Sequence, residues 1–231
     1  MLGRLNAGDR AVAAEAQERL LRRYWPAIYA FIRGTGRDVH ETTDLTQAFV
    51  SEVILGRELL QRADPARGRF RQLLLASVRN FLNEQHRSAA STRRRPPSRQ
   101  IISFGQSADA LPTPDPSASP EEAFDRAWSR TVVHSVLGRV REECIHDGFE
   151  VHWAVFEARV VNPALHGAVP IEYLVLTREL DLPSVAHAAN MLVTVKRRFV
   201  AALRREIAPT VDDPAEIDHE IVEVLRRLGC V

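Results

Sequence analysis

Apolar residues in the first part of the chain recur at intervals of three and four, as in Leu20, Leu21, Tyr24, Trp25, Ile28, Phe31 and Ile32. That spacing lines one face of an α-helix, and strand-like alternation is nearly absent, so the pattern predicts an all-α protein. A second helix is expected from Asp38, whose carboxylate can cap it while Glu41 completes a capping-box-like pair. Its apolar face would use Leu45, Phe49, Val53 and Ile54. A third, from about Gly68 to Arg87, buries Phe70, Leu73, Leu74, Val78, Phe81 and Leu82. It leaves Arg69, Arg71, Arg79, Asn80, Asn83 and Arg87 to solvent or a partner.

The periodicity then stops. From about Ser88 to Ser119 the chain is rich in Pro, Ser and Ala, and such a composition buries too little apolar area to offset chain entropy. It reads as a flexible linker between two small helical domains. Ser119, Pro120, Glu121 and Glu122 announce the second domain with an N-cap, a first-turn proline and acids. Its first helix would bury Phe124, Trp128, Val132, Val136 and Val140. Further helices are expected around 150–161 and 171–180, with Pro163 and Pro170 bounding a loop between them. The stretch Ile171 to Leu180, a polar turn over 181–184 and a long Arg-rich helix from Val185 to Arg205 form a helix-turn-helix pattern. The expected layout is a first helical domain over 1–90, a linker over 91–119, a helix-turn-helix domain over 120–210 and an acidic helical tail over 211–231.

Charge changes this picture through its distribution. The net charge is +1, and the basic residues are almost all arginine, Lys196 being the only lysine. Nine arginines against one acid, Glu84, lie between Arg67 and Arg99, whereas the tail from Glu206 holds seven acids against Arg226 and Arg227. A one-sided basic stretch suits a polyanion, and the tail a separate role. In the long helix His187, Asn190 and Thr194 share a face, and Asn suits a bidentate contact with adenine. Lys196, Arg197 and Arg198 span too wide an arc for one groove wall, so some are expected at phosphates and others in solvent. The tryptophans Trp25, Trp128 and Trp153 read as core anchors.

Cys144 and Cys230 offer no paired spacing, and Cys144, His146 and His152 fit no standard metal site. No cofactor is expected. No apolar run approaches the roughly 18 residues of a membrane span, and the amino terminus is polar and holds acids, which argues against a signal or transit peptide. The expected compartment is the cytoplasm, with no membrane partner.

Several of these segments resemble bacterial RNA polymerase sigma factors of the extracytoplasmic-function type. Asp44-Leu45-Thr46-Gln47, followed by Ala48-Phe49, is similar to the signature by which that family grips the polymerase, with Ala48 where an acid is usual. The run from Gly68 to Leu75, continuing into Arg79-Asn80-Phe81-Leu82, resembles the family helix that opens and reads the minus-ten promoter element. Residues 180–185 and the basic stretches Lys196-Arg197-Arg198-Phe199 and Leu203 to Ile207 resemble the helix-turn-helix that reads the minus-thirty-five element, with Asp181 where glycine is typical. The resemblance implies polymerase contacts from Asp44, Leu45, Gln47 and Phe49. It implies DNA contacts from Arg69, Arg71, Arg79, Asn80, Asn83 and Arg87, and from His187, Asn190, Thr194, Lys196, Arg197 and Arg198.

The implied function is a non-enzymatic sigma factor that binds core RNA polymerase and promoter DNA, with an anti-sigma protein as a further candidate partner. Two alternatives stay open at this point: a helix-turn-helix regulator that acts without polymerase, and a polymerase-interaction module that does not read DNA. No phosphate-binding glycine loop, nucleophile motif or metal spacing favours an enzyme. The acidic tail, with Ile217, Ile221, Val224, Leu225 and Leu228 on one face, is expected to pack on its own domain or to cover the basic recognition surface.

Overall fold

The computed structural model describes residues 7–55, 70–91, 117–211 and 213–230. Arg69 and linker residues 92–116 lie outside them. Every regular element among the described residues is helical, and no helix there is long and apolar enough to cross a membrane. Contacts divide the chain into two compact units, residues 1–128 and 129–231. The division falls inside a helix, α4, rather than at the linker.

The first unit begins with α1 (Ala7–Gly34), which buries Leu21, Tyr24, Trp25, Ile28, Phe31 and Ile32. Gly34 closes it at a close approach: a Cβ there would stand 3.0 Å from the Pro120 Cα, and the neighbour would have to give way by a few tenths of an ångström. Helix α2 (Val39–Phe49) is capped by Asp38, whose carboxylate accepts from the Glu41 N–H at 2.8 Å. The Glu41 side chain pairs with Arg37 at 3.2 Å, so the expected capping box is reduced to a cap plus an ion pair. The inward face of α2 holds Phe49 and also Thr42 and Thr46. Their hydroxyls donate to the Asp38 carbonyl at 2.5 Å and the Thr42 carbonyl at 2.7 Å, which meets the requirement that buried polar groups be bonded. A π-helical turn, Val50–Leu55, continues α2 and buries Val53 and Ile54.

Helix α3 (Phe70–Ser91) buries Leu74, Val78, Phe81 and Leu82. Phe81 meets Phe49 edge to face at 5.5 Å, a favoured aromatic geometry that ties α3 to α2. Helix α4 (Pro120–His146) starts with a reciprocal capping box. The Ser119 hydroxyl accepts from the Glu122 N–H at 3.2 Å, and the Glu122 carboxylate accepts from the Ser119 N–H at 2.7 Å. Phe124 and Trp128, both fully buried, complete the described core of this unit. Burial of the Phe124 side chain contributes about 1.5–3 kcal/mol.

The second unit takes Val132, Val136 and Val140 of α4 into its core. It continues with α5 (Glu150–Phe156), a π-helical turn (Glu157–Val161) and α6 (Asn162–His166). The sequence expectation of a loop starting at Pro163 is corrected here, because Pro163 lies in the first turn of α6. Proline has no N–H to return to the preceding turn. The widened turn before it lets the Asn162 N–H reach the Glu157 carbonyl instead. The helical course ends only at Gly167, whose φ of 65° a side chain would resist.

Helices α7 (Tyr173–Glu179), α8 (Val185–Ile207) and α9 (Ile217–Arg227) complete the unit. Helix α8 is the spine, packing on α5, α7 and α9 and burying Ala188, Met191, Leu192, Val195, Ala202, Leu203 and Ile207. Trp25, Trp128 and Trp153 are all buried, as expected of core anchors.

Candidate nucleic-acid interface

Two outward helix faces and one helix, turn and helix segment carry the residues singled out from the sequence. On α2, Thr42, Thr46 and Phe49 face inward, which turns Asp44 outward. Asp44 is exposed, and Leu45 and Gln47 are half-buried beside it. Phe49 is fully buried; it holds α2 on α3 and presents nothing to a partner. Of the four residues of the polymerase-type signature, Asp44 and Gln47 therefore offer polar groups at the surface.

On α3 the predicted contact residues divide into two sets. Asn80, Asn83 and Arg87 are exposed, and their spacing of three and four places them on one outward stripe. Arg71 and Arg79 instead turn toward α4. The Arg79 Nε donates to Glu121 Oε1 at 2.9 Å and a terminal nitrogen donates to the same oxygen. That bond holds the Glu121 carboxyl below its ordinary range, burial opposing it. Arg71 is 3.7 Å from Asp125, and its guanidinium lies 4.7 Å from the centre of the Trp128 ring. These two arginines are held by acids and an aromatic face of their own unit, and Glu121 and Asp125 are partners that the sequence reading missed. They lie too far along the chain from Arg71 and Arg79 for any local pattern to pair them.

In the second unit, α7 ends in a tight turn. Asp181 adopts φ 50°, and the Leu182 N–H reaches back to the Thr177 carbonyl at 2.9 Å, closing the turn in the Schellman manner. Ser184 then caps α8, its hydroxyl accepting from the His187 N–H at 3.1 Å. The arrangement sends α8 off from α7 with its first turn in solvent. His187 and Asn190 are exposed and Thr194 is half-buried. The Thr194 hydroxyl donates to the Asn190 carbonyl at 3.0 Å, which leaves the Asn190 side chain as the better-placed polar group of the three.

Lys196 and Arg197 are exposed, but Arg198 is held. It donates to Asp147 at 2.7 Å and lies 4.5 Å from the centre of the Phe149 ring. This bond, followed by that from His146, holds the Asp147 carboxyl below its usual range. Burial, then the neighbouring His187 and Arg198, pushes the His152 imidazole below 6.5. Arg198 therefore fastens α8 to the end of α4, and Lys196 and Arg197 are the cations left facing outward.

The tail helix α9 packs on α8 through Ile221 and Val224, with Arg204 paired to Asp218. It leaves His187, Asn190, Lys196 and Arg197 exposed, which corrects the idea that the tail covers the recognition surface. The apolar face of α9 is satisfied along the side of α8, Asp218 meets Arg204, and Glu220 and Glu223 pair with Arg227 and Arg226 of α9 itself. The charge pattern alone suggested a wider cover because it cannot say which turn of α8 the tail reaches.

The chain matches no protein-family model, no curated protein and no solved structure.

Proposed function

We propose that this chain is a sigma-type initiation factor, which binds core RNA polymerase through the outward face of α2 and contacts promoter DNA through α3 and α8. The observation that carries the reading is the acid-free outward face of α8 around Asn190 and Arg197, which follows α7 and a capped turn in the order that a helix-turn-helix reading requires. The stripe of Asn80, Asn83 and Arg87 on α3 supports it with amide and guanidinium groups suited to unstacked bases and phosphates of an opened strand. Asp44 and Gln47 supply the polymerase contact. No step requires a catalytic residue, because binding energy alone offsets the lost pairing of the melted segment, and the cytoplasm is where such a factor meets polymerase.

Run-off transcription with core polymerase on pooled genomic fragments tests this. The chain should produce transcripts that are absent without it and that fall at least tenfold with the Asp44→Ala, Gln47→Ala double variant. Absence of any chain-dependent transcript would reject the proposal. A second reading, a duplex-binding regulator that acts without polymerase, draws support from the uncovered face of α8. It would show as sequence-selective duplex binding with polymerase absent and insensitive to the same double variant.

A further inference from the structure

The outward face of α8 carries a feature that phosphate binding does not explain. Val193 is 44% exposed and Val200 45% exposed, although β-branched residues are weak helix formers and an exposed site would be better served by Ala or Lys. Ala186, Val193 and Val200 repeat at seven residues and so form one row along the helix. The adjoining row, three or four residues displaced, is Asn190, Arg197 and Arg204, the last of them paired with Asp218 of α9 and the first two uncovered. From Val185 to Arg205 the helix holds no acid, and Glu206, its one acid, is paired with Arg139 at 2.5 Å.

These rows discriminate between occupants. A partner helix needs apolar residues at both alternating positions of a seam, and here every second position is an amide or a guanidinium that such a partner would have to desolvate. A DNA major groove presents what the rows match: phosphates for arginine, an adenine edge for asparagine, and the thymine C5-methyl as its apolar group. Asn190 and Val193 are separated by about 4.5 Å along the axis, comparable with the roughly 3.4 Å between stacked base pairs.

Resting on the proposed reading of α8 as the groove-facing helix, we infer that Val193 is a specificity-determining residue that packs on the methyl group of a thymine. That thymine lies one or two base pairs from the adenine taken by Asn190. The element read by α8 then contains an adenine and a thymine in close succession, and Val193 selects the thymine by its methyl rather than by a hydrogen bond.

The test begins with duplexes enriched from a randomised pool by the full chain, alone and with core polymerase. Each thymine of the enriched element is then replaced by deoxyuridine, which removes only the methyl. At one thymine the swap should weaken wild-type binding about fourfold, the factor expected for one buried group of methyl size. The same swap should change Val193→Ala binding less than twofold, and Val200→Ala should behave as wild type. Methyl sensitivity that is equal in wild type and Val193→Ala at every thymine would overturn the inference while leaving the function standing. If that variant instead loses polymerase affinity, the face belongs to a protein partner and the inference is likewise overturned. A pool with no enriched duplex in either form would remove the functional reading and this inference with it.

Discussion

Asp181 shows what a single residue decides. It is the one non-glycine residue with positive φ among those described, in a backbone region that costs an L-residue up to about 1 kcal/mol or more and that Asp tolerates better than most. Its short polar side chain at a turn between two amphipathic stretches made the turn readable, and glycine would remove the remaining strain. Asp181→Gly should therefore raise stability by up to about 1 kcal/mol, and Asp181→Val should lower it, both measured by denaturant unfolding. A gain with valine would show that the turn is not held left-handed. Phe49, placed on the apolar face of α2 by its spacing, is buried against Phe81. The fate of Arg198 was not readable in the same way, because an Arg in a basic run looks exposed until the fold binds it to Asp147.

At the scale of elements, α3 is the instructive case. Its buried stripe followed from spacing, but its arginines do not act as one face. Glu121 and Asp125, on the first turns of α4, hold Arg79 and Arg71, so a polyanion approaching α3 meets Asn80, Asn83 and Arg87 first and must displace acids to reach the other two. Surface pairs of this kind, that of Arg71 and Asp125 half-buried, are each worth on the order of 0.2–1 kcal/mol. The Glu121→Gln, Asp125→Asn double variant should accordingly bind single-stranded DNA about two- to tenfold more tightly at low salt, by fluorescence anisotropy. Glu142→Gln with Glu150→Gln, which removes the same formal charge from α4 and α5, controls for net charge. Equal gains in both double variants would mean that the pairs do not compete with the ligand.

For the molecule as a whole, the tail is part of the second unit's core and leaves the outward face of α8 uncovered. Ile221 and Val224 are buried, and losing that burial should cost about 3 kcal/mol or more. Deleting residues 213–231 should lower the unfolding midpoint clearly while leaving duplex affinity within about twofold at 0.15 M salt, where charges beyond about 8 Å are screened. A marked rise in affinity without loss of stability would instead show that the tail shields α8.

The helical class, the caps at Asp38 and Ser119, the buried stripes of α1, α3 and α4, and the turn between α7 and α8 were legible in the sequence. All of these rest on interactions within a few residues, where a period of three to four and a capping side chain carry the information. Which basic residues face outward was settled by packing. That choice depends on acids and rings distant in sequence, Glu121 and Asp125 for α3 and Asp147 with Phe149 for α8, and on α9 settling along the side of α8. The course of the chain through Pro163 was decided in the same way, because a π-helical turn accommodates a proline that local propensity reads as a stop.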